Sequence, residues 1–418
     1  MDITIRPGKL RGTVTAIPSK SQAHRLLICA AFADAPTELI CPETNRDIEA
    51  TADCLNALGA RITRTDTGYR CEPIRELPGE AVLNCCESGS TLRFMLPIAG
   101  ALGVDTVFQM AGRLPQRPLS PLWEEMERMG CRLTRPTADT IRCQGKLKAG
   151  EYTISGGVSS QFITGLLFAQ SLIPGRSHLE VTGRIESKPY IDMTQKAMAL
   201  FEAPRYHSPG TITVEGDWSN GAFFLAAKAL GNEVDVENLD PDSPQGDRAA
   251  ARILPTMKQF TTIDAADIPD LVPILVITAG AKSGAAFHNI QRLRIKESDR
   301  VASTIAMIEA LGGKAEATED TLTVWGTGYL GGTVDAQNDH RIAMSAAIAA
   351  TVCAGPVTIL GAECVKKSYP KFWEEYERLS QNTCHSEPVL TLAWESPKID
   401  SQSEKSGDCH TSLRTGSQ

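Results

Sequence analysis

One pattern recurs six times along the chain and limits what it can fold into. A small polar or acidic cluster opens a helix that is apolar on nearly every side. These helices are expected to start near Ser19, Ser88, Ser159, Asp217, Asp267 and Asn338. A helix that is apolar all round must be buried all round, so the fold has to wrap other elements about these six. A short strand follows each, at 37–41, 105–110, 178–182, 233–237, 285–289 and 357–360. A second helix follows each strand, at 47–58, 118–129, 190–201, 247–260, 298–311 and 370–379. Most of these carry apolar residues at 3–4 spacing with charges between, the stripe of a helix packed on one face. Gly59, Gly130 and Gly312 stand just past three of them, where a left-handed C-terminal residue is favoured. The chain reads as an α/β protein built from six copies of one unit.

Hairpins are expected after four of the second helices, as in 61–64 turning into 69–71 and 314–317 turning into 322–324. Unit four lacks one, because 261–263 leads straight into unit five. Unit six also lacks one, and the segments 3–5 and 13–15 around Pro7-Gly8-Lys9 are a candidate for its missing hairpin. The expected layout is therefore one domain of units one to three, residues 19–216. A second domain holds units four to six, residues 1–18 plus 217–380. The chain crosses between them near Pro18-Ser19 and Gly216-Asp217, and such an interdomain cleft favours a ligand site. Residues 381–418 are rich in Ser, Glu, Lys, Thr and Gln and are expected to be a disordered tail, with 389–394 as a short docking candidate.

Composition narrows the function. The 418 residues carry a net charge of −8, which argues against a nucleic-acid partner. No apolar run approaches the roughly 20 residues of a bilayer span, so no membrane partner is expected. The first residues lack the basic-then-apolar layout of a signal peptide, and a cytoplasmic protein is expected. The 12 cysteines include no CxxC pair and the 7 histidines form no HxH or HExxH cluster, so neither a metal nor a cofactor is expected. Nothing in the chain demands more than a monomer. Locally basic stretches in an acidic protein point to small anionic ligands.

Those stretches sit at the unit openings. Lys20, Ser21 and Arg25 open unit one; Gly89, Ser90 and Arg93 open unit two; Ser159, Ser160 and Gln161 open unit three; His340 and Arg341 open unit six. Helix N-termini present unpaired N–H groups and partial positive charge, which suit phosphate or carboxylate. Each cation alone reads more readily as a solvated surface charge than as a ligand, and Ser19 equally well as a simple N-cap. Their clustering at equivalent positions raises the functional reading. Asp270 and Glu297 lie in this cationic setting, where carboxylates oppose anion binding, and so suggest proton transfer. The plainer alternatives are a first-turn helix carboxylate for Asp270 and an ion pair with Lys296 or Arg300 for Glu297. No P-loop is present, since Ser19-Lys20-Ser21 lacks the glycine frame.

Several motifs, in this order, resemble the 5-enolpyruvylshikimate-3-phosphate synthase family: Ser19-Lys20-Ser21 with Arg25, Ser159-Ser160-Gln161, Ser187-Lys188-Pro189-Tyr190, the run 293–300, Asp339-His340-Arg341 and Lys366-Lys367-Ser368-Tyr369-Pro370. The resemblance covers residues 1–380. It implies an inside-out α/β barrel fold with two similar domains of three βαβαββ units each. It implies transfer of the enolpyruvyl group of phosphoenolpyruvate to the 5-hydroxyl of 3-phosphoshikimate, with phosphate released and no metal or cofactor. By resemblance, Ser159, Ser160, Ser187 and Tyr190 hold the shikimate phosphate, and Lys20, Ser21, Arg25, Gln161, Asp270 and Lys296 also touch that substrate. Lys20, Arg113, Gln161, Glu297, Arg300, Arg341 and Lys367 bind phosphoenolpyruvate, with Gly89 lining its site. Lys20, Asp270 and Glu297 are the implied catalytic residues: Asp270 takes the hydroxyl proton and Glu297 protonates the methylene carbon.

Four places depart from the family's common pattern. Glu87-Ser88-Gly89-Ser90 replaces Asn-Ala-Gly-Thr, Ile17-Pro18-Ser19-Lys20-Ser21 replaces the Pro-Gly-Ser-Lys-Ser form, His24 stands where Asn is common, and Arg292 occupies a position where some members place Asn against the substrate. The sibling transferase acting on a UDP-amino sugar commonly uses a loop cysteine as proton donor, and loop 110–117 has none. A non-catalytic scaffold of the same fold would lack the acid and base, and both are present.

Overall fold

The computed structural model describes residues 1–381; the expected tail and its 389–394 segment lie outside them. Apolar helices and alternating strands follow one another from end to end. The first helices of the units are α1 (Lys20–Ala31), α3 (Gly89–Leu102), α5 (Ser160–Leu172), α7 (Trp218–Ala229), α9 (Val272–Gly280) and α11 (His340–Ala350). The second helices are α2 (Arg46–Ala57), α4 (Leu122–Arg128), α6 (Lys188–Leu200), α8 (Ala249–Ile253), α10 (Arg300–Ala310) and α12 (Phe372–Gln381). Every residue of α9 and α11 is buried, as an all-round apolar sequence requires. Side chains of Ser19, Ser88, Ser159, Asp217, Asp299 and Asp339 accept hydrogen bonds from backbone N–H groups of the helices they open.

Prolines account for three boundary differences. The expected helix 118–129 starts only at Leu122, after Pro118 and the Pro121 N-cap. The expected helix 247–260 is short, breaking into 3-10 turns on either side of Ala249–Ile253, with Pro255 in the second turn. Asp267 does not open α9, which starts at Val272; Asp270 therefore sits in the turn before the helix rather than in its first turn.

Three sheets have four strands in a common order: a parallel pair extended by an antiparallel hairpin, the pair being joined through a buried helix in two of them. In one, Glu80–Asn84 lies parallel to Asp105–Gln109, which pairs antiparallel with Thr140–Gly145, and Cys131–Thr134 forms the edge. Unit three has no hairpin. Between α6 and the crossover, turns containing Pro204 and Pro209 leave room only for Thr211–Thr213. The expected hairpin between 3–5 and 13–15 does not form either. Ile3–Ile5 pairs antiparallel with Val357–Leu360 in the sheet of unit six, and Arg11–Thr15 pairs parallel with Glu233–Glu237 of unit four.

This last pairing is half of an exchange. Units two, three, five and six pair the strand before the buried helix with the strand after it. Units one and four trade: Arg11–Thr15 goes to unit four, and Thr211–Thr213 pairs with Thr37–Ile40 of unit one. The two exchanging segments meet at an antiparallel bridge between Pro18 and Gly216. Buried apolar residues form two clusters. One is drawn from residues 23–214; the other combines residues 3–17 with 222–379. Fully burying each large aliphatic or aromatic side chain in such clusters contributes roughly 1.5–3 kcal/mol.

Candidate active site

The buried helices aim several N-termini at one cavity. α1 presents Lys20, Ser21 and Arg25, α3 presents Gly89, and α5 presents Ser160 and Gln161, with the Ser159 cap beside them. Ser187 and Tyr190 come from the start of α6. The opposite wall carries Asp270, Lys296, Glu297 and Arg341, supplied by the 217–380 half of the chain. The packing that sets these distances is tight. At Gly165 in α5 a Cβ would lie 2.2 Å from the carbonyl oxygen of Arg93 in α3, so only glycine lets the two helices approach this closely. That approach lets Arg93 Nη1 donate to Gln161 Oε1 at 3.0 Å and Gln161 Nε2 donate to Ser90 Oγ at 2.9 Å.

Arg25 is buried and anchored: Nε donates to Thr194 Oγ1 at 2.8 Å, Nη1 to the Ser21 carbonyl at 2.7 Å and Nη2 to the Tyr190 carbonyl at 2.9 Å. Burial pushes its pKa down to about 10. Lys20 Nζ pairs with Asp47 Oδ2 at 2.9 Å, while its backbone N–H donates to Asp217 Oδ2 at 3.1 Å. Burial opposes the Lys20 charge, but Asp47 outweighs it and holds the pKa above its ordinary value.

The acidic pair is organised by one guanidinium. Arg300 is fully buried; it donates from Nη1 to Asp270 Oδ1 at 2.8 Å, from Nη2 to Glu297 Oε2 at 2.5 Å and from Nε to Asp339 Oδ2 at 2.9 Å. Arg341 Nη2 lies 3.2 Å and Lys296 Nζ 3.5 Å from the Asp270 carboxylate. Burial alone would raise the Asp270 pKa, but Arg341, Lys296 and Arg300 hold it well below the carboxylate range. Glu297 behaves alike: burial is overcome by Arg300 and by Arg117, whose Nη1 is 3.9 Å away. Both acids are ionised at neutral pH. Burial pushes Lys296 down to about 8 against the pull of Asp270. His340 lines the cavity buried, with neither ring nitrogen hydrogen-bonded, and burial lowers its pKa to about 3.

Of the residues expected at the site, three do not line this cavity. Arg300 stands behind the wall as the strut just described. Lys367 Nζ is held at 2.7 Å by Glu87 Oε2 and at 3.1 Å by the Asn338 carbonyl. Arg113 is exposed, because the 3-10 turn Leu114–Gln116 follows it and carries the chain away. The arginine of that loop that lines the cavity is Arg117, which leaves the turn in an extended conformation. Sequence reasoning set Arg93 and His340 among the polar unit openings but gave neither a role, and it passed over Asp47 and Asp217 as site residues. For Arg93 a signal existed, since it lies four residues after Gly89 and so shares its helix face. Among the described residues, no group of three or more His, Cys, Asp or Glu side chains forms a metal cage. No described helix is long and apolar enough to cross a membrane.

The cavity is thus lined by lysines and arginines from both halves of the chain, with two carboxylates among them. Residues 5–376 match the family model described as EPSP synthase (3-phosphoshikimate 1-carboxyvinyltransferase). The 3-phosphoshikimate 1-carboxyvinyltransferase of Clostridium kluyveri is 36% identical over 412 residues, covering 90% of this chain and 97% of that protein. The enzyme of the same name from Clostridium perfringens strain SM101 is 36% identical over 415 residues, with 90% and 98% covered. Among solved structures, the EPSP synthase of Acinetobacter baumannii shares the fold with a TM-score of 0.73 at 22% identity, covering 91% of this chain and 98% of that one. The enolpyruvyl transferase NikO of Streptomyces tendae follows at 0.69 and 16%, with 90% and 97% covered. The chain belongs to the EPSP synthase family, the 3-phosphoshikimate 1-carboxyvinyltransferases.

Proposed function

We propose that this chain transfers the carboxyvinyl group of phosphoenolpyruvate to the 5-hydroxyl of 3-phosphoshikimate and releases phosphate. The observation that carries the reading is the sharing of Arg300 by Asp270 and Glu297 on a cation-rich wall. Ser159, Ser160, Ser187 and Tyr190 hold the shikimate phosphate, and Ser21, Arg25, Gln161 and Lys296 hold the rest of that substrate. Lys20, Gln161, Arg341 and Lys367 bind phosphoenolpyruvate beside Gly89, with Arg117 in the part that the loop's Arg113 has in the sequence pattern. Arg300 acts through the two acids.

Asp270 accepts the proton of the attacking hydroxyl as its oxygen bonds to C2 of phosphoenolpyruvate. Glu297 delivers a proton to the methylene carbon, which gives a tetrahedral intermediate. The methyl group then returns a proton to the Glu297 carboxylate as the C–O bond to phosphate breaks, which forms the product. Both acids begin ionised, so Glu297 has to be protonated first. The phosphate and carboxylate of the ligands neutralise the cations that depress its pKa, which raises it toward a donor's range. Lysines and arginines, preorganised in a water-poor cavity, stabilise the charge on the departing phosphate.

The reading includes two domains, residues 19–216 and residues 1–18 plus 217–380, each an inside-out barrel of three units with its apolar helices within. They close on the ligands about the paired crossovers. It also includes a monomer working in the cytoplasm. Purified protein supplied with both substrates should release phosphate in proportion to carboxyvinyl product. Binding of both substrates without phosphate release would refute the proposed reaction.

A further inference from the structure

Four of the six units carry an antiparallel strand beside the strand that follows their buried helix. In units one, two and five it is a hairpin strand: Gly68–Glu72, Thr140–Gly145 or Thr321–Trp325. In unit six it is Ile3–Ile5, brought in from the opposite end of the chain. Each sets alternate apolar residues inward, as a strand with one covered face does. Tyr69 and Cys71, Ile141 and Cys143, Leu322 and Val324, and Ile3 and Ile5 are all buried. The hairpin strands pack on the first helix of their unit. Among the described residues, units three and four have no such strand.

In unit four, Glu233–Glu237 pairs on one edge with Arg11–Thr15, and no described strand takes the other edge. Leu225 and Ala229 of α7, Val236, and Ala249 and Ile253 of α8 are left half-buried. An apolar face beside an open row of backbone N–H and C=O groups is a template for one more strand. Glu233, Asp235 and Glu237 are exposed on the outer face. A strand added here pairs well only if its own outward residues carry no negative charge.

The last described helix ends beside this sheet. Arg378 Nη2 of α12 donates to the Thr13 carbonyl at 2.6 Å, and Thr13 pairs with Asp235. From Gln381 the chain continues to Gln418 and includes Val389-Leu390-Thr391-Leu392-Ala393-Trp394. That segment has large apolar residues at 390, 392 and 394 and uncharged residues between them. Thr321–Trp325 of unit five alternates in the same way about Leu322 and Val324. The link 382–388 extends to roughly 25 Å at most. The open edge lies only one strand spacing, about 4.8 Å, beyond Arg11–Thr15. The matching open edge of unit three, on His178–Thr182, belongs to the other half of the chain.

We propose that residues 389–394 complete the unit-four sheet of their own chain, pairing with the open edge of Glu233–Glu237 and setting Leu390, Leu392 and Trp394 against α7 and α8. The C-terminal segment then does for unit four what Ile3–Ile5 does for unit six. It also closes an edge that would otherwise recruit a strand from another chain.

Hydrogen exchange on the full-length protein tests this in wild type, in L390D/L392D and in the conservative L390I/L392V. The amides of 233–237 that face away from Arg11–Thr15 should be protected in wild type. They should exchange at least about tenfold faster in L390D/L392D and stay protected in L390I/L392V. The free-edge amides of 178–182 should exchange fast in all three. Equal exchange at 233–237 in wild type and L390D/L392D would overturn the proposal. So would protection at 178–182 that L390D/L392D removes, because the segment would then lie on unit three. Protection at 233–237 that grows with protein concentration would overturn it as well, since a second copy would then fill the groove.

Discussion

Pro18 and Gly216 face each other where the chain passes twice between its two apolar clusters. Beside them the Ser19 N–H donates to the Glu215 carbonyl and the Asp217 N–H to the Ile17 carbonyl, both at 2.7 Å. Ser19 and Asp217 cap α1 and α7, so the bridge sets both helix starts together. A Cβ on Gly216 would lie 1.8 Å from the Asn238 carbonyl oxygen, a backbone atom that cannot swing aside. Gly216→Ala should therefore destabilise the fold by at least the ~1–3 kcal/mol typical of overpacking. Urea unfolding checks it, and a midpoint equal to wild type would show that the crossovers give way freely.

Asp270→Asn removes the proposed proton acceptor and also an anion from among three cations. The expected result is a kcat lowered on the order of 10²- to 10⁴-fold, as for loss of a general base. Binding of the anionic substrates should be unchanged or tighter, because Arg300, Arg341 and Lys296 lose their partner. Turnover near wild type would remove Asp270 from the proton path.

Arg300→Gln leaves Asp339, itself fully buried, without its guanidinium. Removing one member of a buried ion pair costs about 3–5 kcal/mol. A thermal or denaturant melt should show that loss, together with Asp270 and Glu297 pKa values moved upward from their depressed positions. An unchanged melt would mean that the cluster contributes nothing to folding.

Gly89→Ala is of a different kind. The added methyl would sit 2.6 Å from Nη1 of both Arg93 and Arg117, the ends of flexible side chains. The protein should fold with near-wild-type stability, while KM for phosphoenolpyruvate rises as the two guanidinia are displaced. Steady-state kinetics separates this from a folding defect, and an unchanged KM would place phosphoenolpyruvate away from Gly89.

The buried helices and most of the site were legible because each rests on local chemistry. A helix apolar all round is visible in the sequence, and so is the polar residue that caps it. The strand exchange was not legible, since the alternation in Arg11–Thr15 says which face is buried and not which strand lies beside it. Arg113 and Arg117 look alike in sequence; only the turn Leu114–Gln116 decides which one enters the cavity. The same limit explains α9, whose apolar run is plain while Pro269 and Pro273 delay its start past Asp270.

Lys296 predicts the pH response. Its ordinary pKa of 10.5 falls to about 8 through burial, partly offset by Asp270. A lysine with a depressed folded-state pKa penalises folding below about 8, and the penalty fades as pH rises from there through 10.5. Ligand binding runs the other way, because the proposed role needs the charged amine. The affinity of the free protein for 3-phosphoshikimate should fall as pH rises above about 8, approaching tenfold per unit if the neutral amine contributes nothing. Lys296→Arg should move that alkaline limb up and out of range. Asp270→Asn should move it down, since the carboxylate 3.5 Å away supports the charge. Calorimetry across this range reads all three curves. An alkaline limb at the same pH in each would assign the titration to another group.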